Sequence, residues 1–133
     1  DAGSDGISKC IRKNRELGNL QNVTFYKNLP VDTYDFVLKN ASCCVGNSSS
    51  FIREGSFLGT PCVLVGERQN KRELGKNVIK SKVKKNEILR KIKLQINNKT
   101  IKTTRLYGDG NASKKISKLI CKLSPNIQKT LTY

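Results

Sequence analysis

The residues best placed to do chemistry fall at positions 45–54, Val-Gly-Asn-Ser-Ser-Ser-Phe-Ile-Arg-Glu. An apolar run ends at Gly46, small hydroxylated residues make a turn, and a helix-like pattern begins. Free backbone N–H groups at such a helix start, joined by serine hydroxyls, form a site suited to a phosphate. Glu54 falls one turn into that helix, where its carboxylate could accept hydrogen bonds from ribose hydroxyls. A plain N-cap uses the same residues, because Asn and Ser favour that position in any helix. Arg68 and Arg72 stand on a loop that begins at Gly66, after the next apolar run. Arginine presents a planar fork matched to phosphate or carboxylate, although a solvated charged loop reads the same way locally. No Walker A sequence is present, and Gly108-Asp109-Gly110 follows no buried strand, so it reads as a turn.

Alternating helices and short strands must position these residues. Residues 5–17 place Ile7, Cys10, Ile11 and Leu17 on one helical stripe, stopped by Gly18 and Asn19. Residues 22–26 are a short β-rich run. Asp32 can cap a second helix in which Tyr34, Val37, Leu38 and Ala41 share a face. Residues 42–46 and 62–65 lack polar alternation, as strands buried on both faces do. A helix over 51–58 separates them, broken by Gly59-Thr60-Pro61. Residues 66–76 read as a polar loop and 77–79 as a third strand, while 86–96 and 112–123 have helical periodicity. Strands separated by helices argue for βαβ units on a parallel sheet. Ligands of such sheets bind at the carboxyl ends of the strands, where both candidate loops emerge. A chain that opens directly into a helix also implies that the first, normally central strand lies upstream in a longer parent protein.

Composition narrows the functional classes. The 133 residues suit one domain, and 26 Lys plus Arg against 10 Asp plus Glu give a formal charge of +16. Histidine is absent, so a His general base, a Ser-His or Cys-His pair and a His-ligated zinc all lie outside the reach of this chain alone. No apolar run approaches the roughly 20 residues that span a bilayer. The five cysteines show no CxxC spacing; Cys43, Cys44 and Cys62 sit in apolar runs and read as buried structural thiols of a reducing, cytoplasmic compartment. Asn-x-Ser/Thr triplets at Asn22, Asn40, Asn47, Asn98 and Asn111 follow from a composition rich in Asn, Ser, Thr and Lys.

Residues 46–50, Ile52-Arg53-Glu54, Leu58-Gly59-Thr60-Pro61, Gly66-Glu67-Arg68-Gln69, Arg72-Glu73 and Asn77-Val78-Ile79 together resemble the C-terminal domain of the hydrolysing UDP-N-acetylglucosamine 2-epimerases. Residues 1–4 and 106–112 look like segments of the same family, and the likeness runs from residue 1 to about residue 122. The non-hydrolysing members typically carry Ser-Gly-Gly and Gln-Glu-Glu where this chain has Asn-Ser-Ser and Arg-Glu. The resemblance implies a Rossmann-like parallel sheet with flanking helices, the C-terminal half of a GT-B-type enzyme of two domains. Residues 1–133 would then be a partial UDP-binding domain, paired with an N-terminal catalytic domain that lies outside this chain. The implied reaction converts UDP-N-acetylglucosamine, or a related UDP-sugar, to its free 2-epimer plus UDP for sialic or nonulosonic acid synthesis. By position, Ser48 and Ser49 would hold the diphosphate, Glu54 the ribose and Arg68 the UDP moiety, with the Leu29 backbone near the uracil. The family's catalytic carboxylates and histidine lie upstream, so the resemblance assigns no catalytic residue, cofactor or metal to this chain. It implies a homo-oligomer for the full enzyme. Lys9, Arg12 and Lys27 fall where animal bifunctional members have a feedback nucleotide-sugar site.

Two other classes compete. A charge of +16 invites a nucleic-acid reading, but the lysines are scattered along the chain without interleaved aromatics. A regulatory module derived from the same domain would share every motif above.

Overall fold

The computed structural model describes residues 4–98 and 101–124, and it divides into two units that are taken separately, residues 1–31 and residues 32–133.

In the first unit, helix α1 (Ser4–Glu16) carries Asp5 in its first turn and Lys13 and Arg15 in its last, the arrangement that the helix dipole favours. Of its expected apolar stripe only Ile11 is half-buried, while Ile7, Cys10 and Leu17 are exposed. The β-rich run at Val23–Tyr26 forms no strand. Its backbone pairs with no described segment, and the Phe25 ring instead lies under the Arg15 guanidinium, 4.7 Å from centroid to carbon.

The second unit is built on three parallel strands, β1 (Cys44–Gly46), β2 (Cys62–Val65) and β3 (Val78–Ser81), in the order β1-β2-β3. Cys44 sits opposite Cys62, and Cys62 opposite Val78. Side chains alternate across a strand, so Cys44, Cys62, Leu64 and Val78 share one face. Against it pack Leu38, Tyr34 and Ala41 of and after α2 (Val31–Asn40), together with Phe51, Ile52, Leu58 and Leu74. Val63, fully buried, points to the opposite face, where α5 (Lys85–Asn97) packs on β2 and β3. The last helix, α6 (Ala112–Ile120), has no buried residue.

The first connection differs from the sequence-based expectation, and the second keeps the polar loop expected over 66–76. The helix between β1 and β2 starts at Ser49, two residues before the expected Phe51, and breaks at Arg53 into α3 (Ser49–Ile52) and α4 (Glu54–Leu58). The connection from β2 to β3, residues 66–77, crosses back over the sheet without any helix. Side-chain hydrogen bonds replace helical ones in holding it. The Ser56 hydroxyl, 2.6 Å from Ile52 O and 2.7 Å from Asn77 Oδ1, faces both acceptors with its single proton. Asn77 Nδ2 donates to Thr60 O at 2.8 Å and to Phe51 O at 3.3 Å. Gln95 Nε2 bonds Cys62 O and Asn77 O, each at 2.7 Å. All four polar side chains involved in these bonds or closing them, Ser56, Thr60, Asn77 and Gln95, are buried, and burial is tolerated because their partners are in place.

Candidate functional site

The carboxyl ends of β1 and β2 both finish at glycines with backbone conformations that side chains disfavour: Gly46 at φ 150° and Gly66 at φ 77°. At Gly46 space is short as well, because a Cβ there would lie 3.2 Å from the Phe51 ring. These two residues turn the chain off the sheet and place the Ser48–Ser50 turn and the Arg68 loop at neighbouring strand ends.

Ser48 is the N-cap of α3, with extended backbone (φ −69°, ψ 139°) and its Oγ accepting the Ser50 N–H at 3.3 Å. Ser49 opens the helix and is half-buried. The Ser50 hydroxyl is engaged elsewhere, 2.6 Å from the Tyr34 hydroxyl of α2, which ties the turn to that helix. Thus Ser48 fills the plain capping role, and Ser49, half-buried beside it, opens the helix.

The loop after β2 reaches this turn directly. Gln69 Nε2 donates to Asn47 O at 2.8 Å. Gln69 is 5% exposed, and its Oε1 is buried with no hydrogen-bond donor among the described residues. Arg68, next to it in the chain, is exposed, as is Arg72. Gln69 is the contact that sequence reasoning missed. Its position between Arg68 and Asn70 in a polar loop gives no sign of burial.

Glu54 is exposed at the start of α4, after the break at Arg53, rather than inside a continuous helix. It borders a groove of about 540 Å³ whose other walls include Asp35, Arg53, Phe57, Tyr107 and Lys115. The Tyr107 hydroxyl donates to Glu73 O, joining the groove wall to the Arg68 loop. The structure therefore brings Ser48, Ser49 and the Arg68–Gln69 segment to one edge of the sheet, with Glu54 on the helix that follows the serine turn. Leu29 belongs to the first unit and is described by itself: half-buried, its N–H donating to Asn28 Oδ1 at 3.0 Å. Lys9, Arg12 and Lys27, also in that unit, are all exposed.

The thiols carry no catalytic signature. Burial pushes Cys44 up to about 11 and Cys62 up to about 12, with neighbouring cysteines adding to both shifts, and burial also raises Cys43. A thiol so shifted is protonated at neutral pH and is a poor nucleophile. Cys44 and Cys62 are buried as expected, Cys43 is half-buried, and Cys10 and Cys121 are exposed. Among the described residues no group of His, Cys, Asp or Glu could hold a metal ion, and no helix is long and apolar enough to cross a membrane.

A three-stranded parallel sheet with helices on its faces and small-residue turns at its strand ends defines an α/β domain of Rossmann-like type. Residues 2–121 match the family model for UDP-N-acetylglucosamine 2-epimerase, and the chain belongs to that family. It is 35% identical over 120 residues to a UDP-N,N'-diacetylbacillosamine 2-epimerase (hydrolyzing) of Legionella pneumophila, an alignment covering 90% of this chain and 31% of the relative. It is 37% identical over 65 residues to a GDP/UDP-N,N'-diacetylbacillosamine 2-epimerase (hydrolyzing) of Campylobacter jejuni, covering 49% of this chain and 17% of that protein. A UDP-N-acetylglucosamine 2-epimerase of Neisseria meningitidis is 49% identical over 43 residues, 32% of this chain and 11% of the relative. The chain thus spans less than a third of these relatives' length.

Proposed function

We propose that this chain is the UDP-binding part of a hydrolysing UDP-sugar 2-epimerase, an enzyme that releases UDP and the free 2-epimer of a 2-acetamido sugar. In this reading Ser48 and Ser49 bind the diphosphate, Glu54 accepts the ribose hydroxyls and Arg68 offsets phosphate charge. The carboxylates and histidine that perform the chemistry belong to sequence outside this chain, which contains no histidine of its own. UDP-N-acetylglucosamine is one substrate in this reading; a UDP-diacetamido sugar, of the kind named for the Legionella and Campylobacter relatives, is the other. The product feeds sialic or related nonulosonic acid synthesis, and the enzyme works as a cytoplasmic homo-oligomer.

The observation that carries this reading is the serine turn at the carboxyl end of β1, beside the strand whose end bears Arg68. A polyanion at that edge meets helix-start N–H groups, hydroxyls and a guanidinium together. Titration calorimetry with UDP tests it, comparing the chain with a Ser48→Ala/Ser49→Ala variant. Affinity is expected to fall at least about tenfold, the effect of losing one or two hydrogen bonds to a charged group. Removing the Ser48 cap costs about 1 kcal/mol of stability, so both proteins are checked for folding by circular dichroism. Equal affinity in two folded proteins would refute the assignment.

A further inference from the structure

Gln69 is held in an arrangement that stability alone does not favour. Its side chain is almost fully buried, yet only one end of the amide is satisfied: Nε2 bonds Asn47 O at 2.8 Å, and Oε1 meets no donor among the described residues. The orientation is set by its partner. Turning the amide over would press Oε1 against Asn47 O, two acceptors face to face. A buried acceptor without a donor is a net burden on the fold, larger than the gain from one neutral hydrogen bond. An apolar side chain of the same length would fill the space without that burden.

We infer that Gln69 is a positioning residue for the nucleotide site: it ties the loop that carries Arg68 to the Asn47–Ser50 turn and so fixes the two strand ends relative to each other. This rests on the nucleotide-binding reading above. The bond at Asn47 O acts in two ways. It locks the peptide just before the Ser48 cap, and so the direction of the helix-start N–H groups. It also engages a carbonyl oxygen that would otherwise be a candidate to face the incoming phosphate and repel it. Arg68, next to Gln69 in the sequence, is carried on the segment that this bond anchors.

The test separates positioning from packing. Gln69→Met keeps length and apolar packing while removing both the bond and the unsatisfied oxygen. Its urea midpoint is expected to equal or exceed that of the unaltered chain, while its UDP affinity falls about tenfold. Gln69→Glu adds a pH signature. At pH 8 the ionised carboxylate opposes both Asn47 O and the diphosphate, whereas a protonated carboxyl at pH 5 donates an O–H to Asn47 O. The affinity deficit of this variant relative to the unaltered chain should therefore shrink at least about tenfold from pH 8 to pH 5. Unchanged affinity in Gln69→Met, or a loss that follows a lowered midpoint, would overturn the inference. So would a pH-independent deficit in Gln69→Glu. If the unaltered chain fails to bind UDP, the proposed function fails, and amide hydrogen exchange decides the positioning role separately. Exchange at Ser48–Ser50 should then rise about tenfold in Gln69→Met with Cys62–Val65 unchanged; equal exchange at the turn overturns it.

Discussion

Replacing Gly75 by alanine is expected to damage the molecule through space and not through backbone conformation. Gly75 is absent from the residues with positive φ, so an alanine backbone fits there. A Cβ at that position would lie 2.4 Å from Ser56 Oγ, 2.7 Å from Asn77 Oδ1 and 3.0 Å from Ser56 Cβ. None of these atoms is the end of a long flexible chain. The Ser56 hydroxyl must leave its place between Ile52 O and Asn77 Oδ1, which breaks a buried hydrogen bond for about 1–3 kcal/mol. Overpacking adds about 1–3 kcal/mol, so the loss is about 2–6 kcal/mol in total. A double-mutant cycle with Ser56→Ala measures the cause. In the unaltered background Ser56→Ala leaves Asn77 Oδ1 short of its donor and costs about 1–3 kcal/mol. In the Gly75→Ala background that hydrogen bond is already broken and the same change removes the nearest of the three atoms in the way, so the second cost disappears and the coupling reaches at least about 1 kcal/mol. Urea unfolding of the four proteins, with m-values compared, gives the cycle. Additive losses, or a Gly75→Ala loss below about 0.5 kcal/mol, would refute the steric argument.

Two further outcomes follow from the ionisable groups. At pH 8 Ellman's reagent is expected to modify Cys10 and Cys121 first, with Cys44 and Cys62 protected until urea unfolds the chain. Because burial raises the two protected thiols from 9.0 to about 11 and about 12, the stability they contribute is full below pH 9 and drains as pH rises from 9 toward 12; a urea midpoint that stays flat across that window counts against the assignment. The Asp109 carboxyl is held at about 2, first by the Lys115 ammonium at 2.9 Å and then by the Asn111 N–H, so its contribution is present above 3.8 and lost as pH falls toward 2. An NMR titration should find it moved back up toward 3.8 in Lys115→Ala, and an unmoved midpoint would remove Lys115 as the cause.

What the sequence disclosed tracks how local each signal is. Cys62–Val65 reads as a buried strand because four apolar residues follow one another between Pro61 and Gly66, and the structure keeps those bounds. Val23–Tyr26 has the composition of a strand but no described segment to pair with, and pairing is not a property of the run itself. The break at Arg53 was invisible, since neither Gly nor Pro marks it. The serine turn was legible because Gly46 and the hydroxylated residues have strong local preferences. Gln69, Asn77 and Gln95 were not, because a polar residue is read as exposed unless its buried partner is known, and their partners lie 17–33 residues away. The same limit applies to α6: its periodicity predicts an apolar face, and Ile116, Leu119 and Ile120 stand exposed.

The bonds around the serine turn share one polarity. Asn47 O accepts from Gln69, Phe51 O from Asn77, and Ser48 Oγ from the Ser50 N–H. Two of these acceptors are thus engaged by side-chain amides that come from the same helix-free crossover between β2 and β3. The first N–H groups of a helix have no partner within that helix, and of those here the Ser50 N–H is met by Ser48 Oγ. Electrostatic preorganisation for an anion needs engaged acceptors, because one free carbonyl oxygen at the edge would oppose a phosphate as strongly as one N–H attracts it. A crossover without a helix is well suited to the task. Its backbone is not committed to helical hydrogen bonds, so it can follow the sheet edge closely enough to put Gln69 at the front of the turn and Asn77 behind it. In the proposed reading the coil at 66–77 is part of the nucleotide site, and the turn and the crossover should gain or lose anion affinity together.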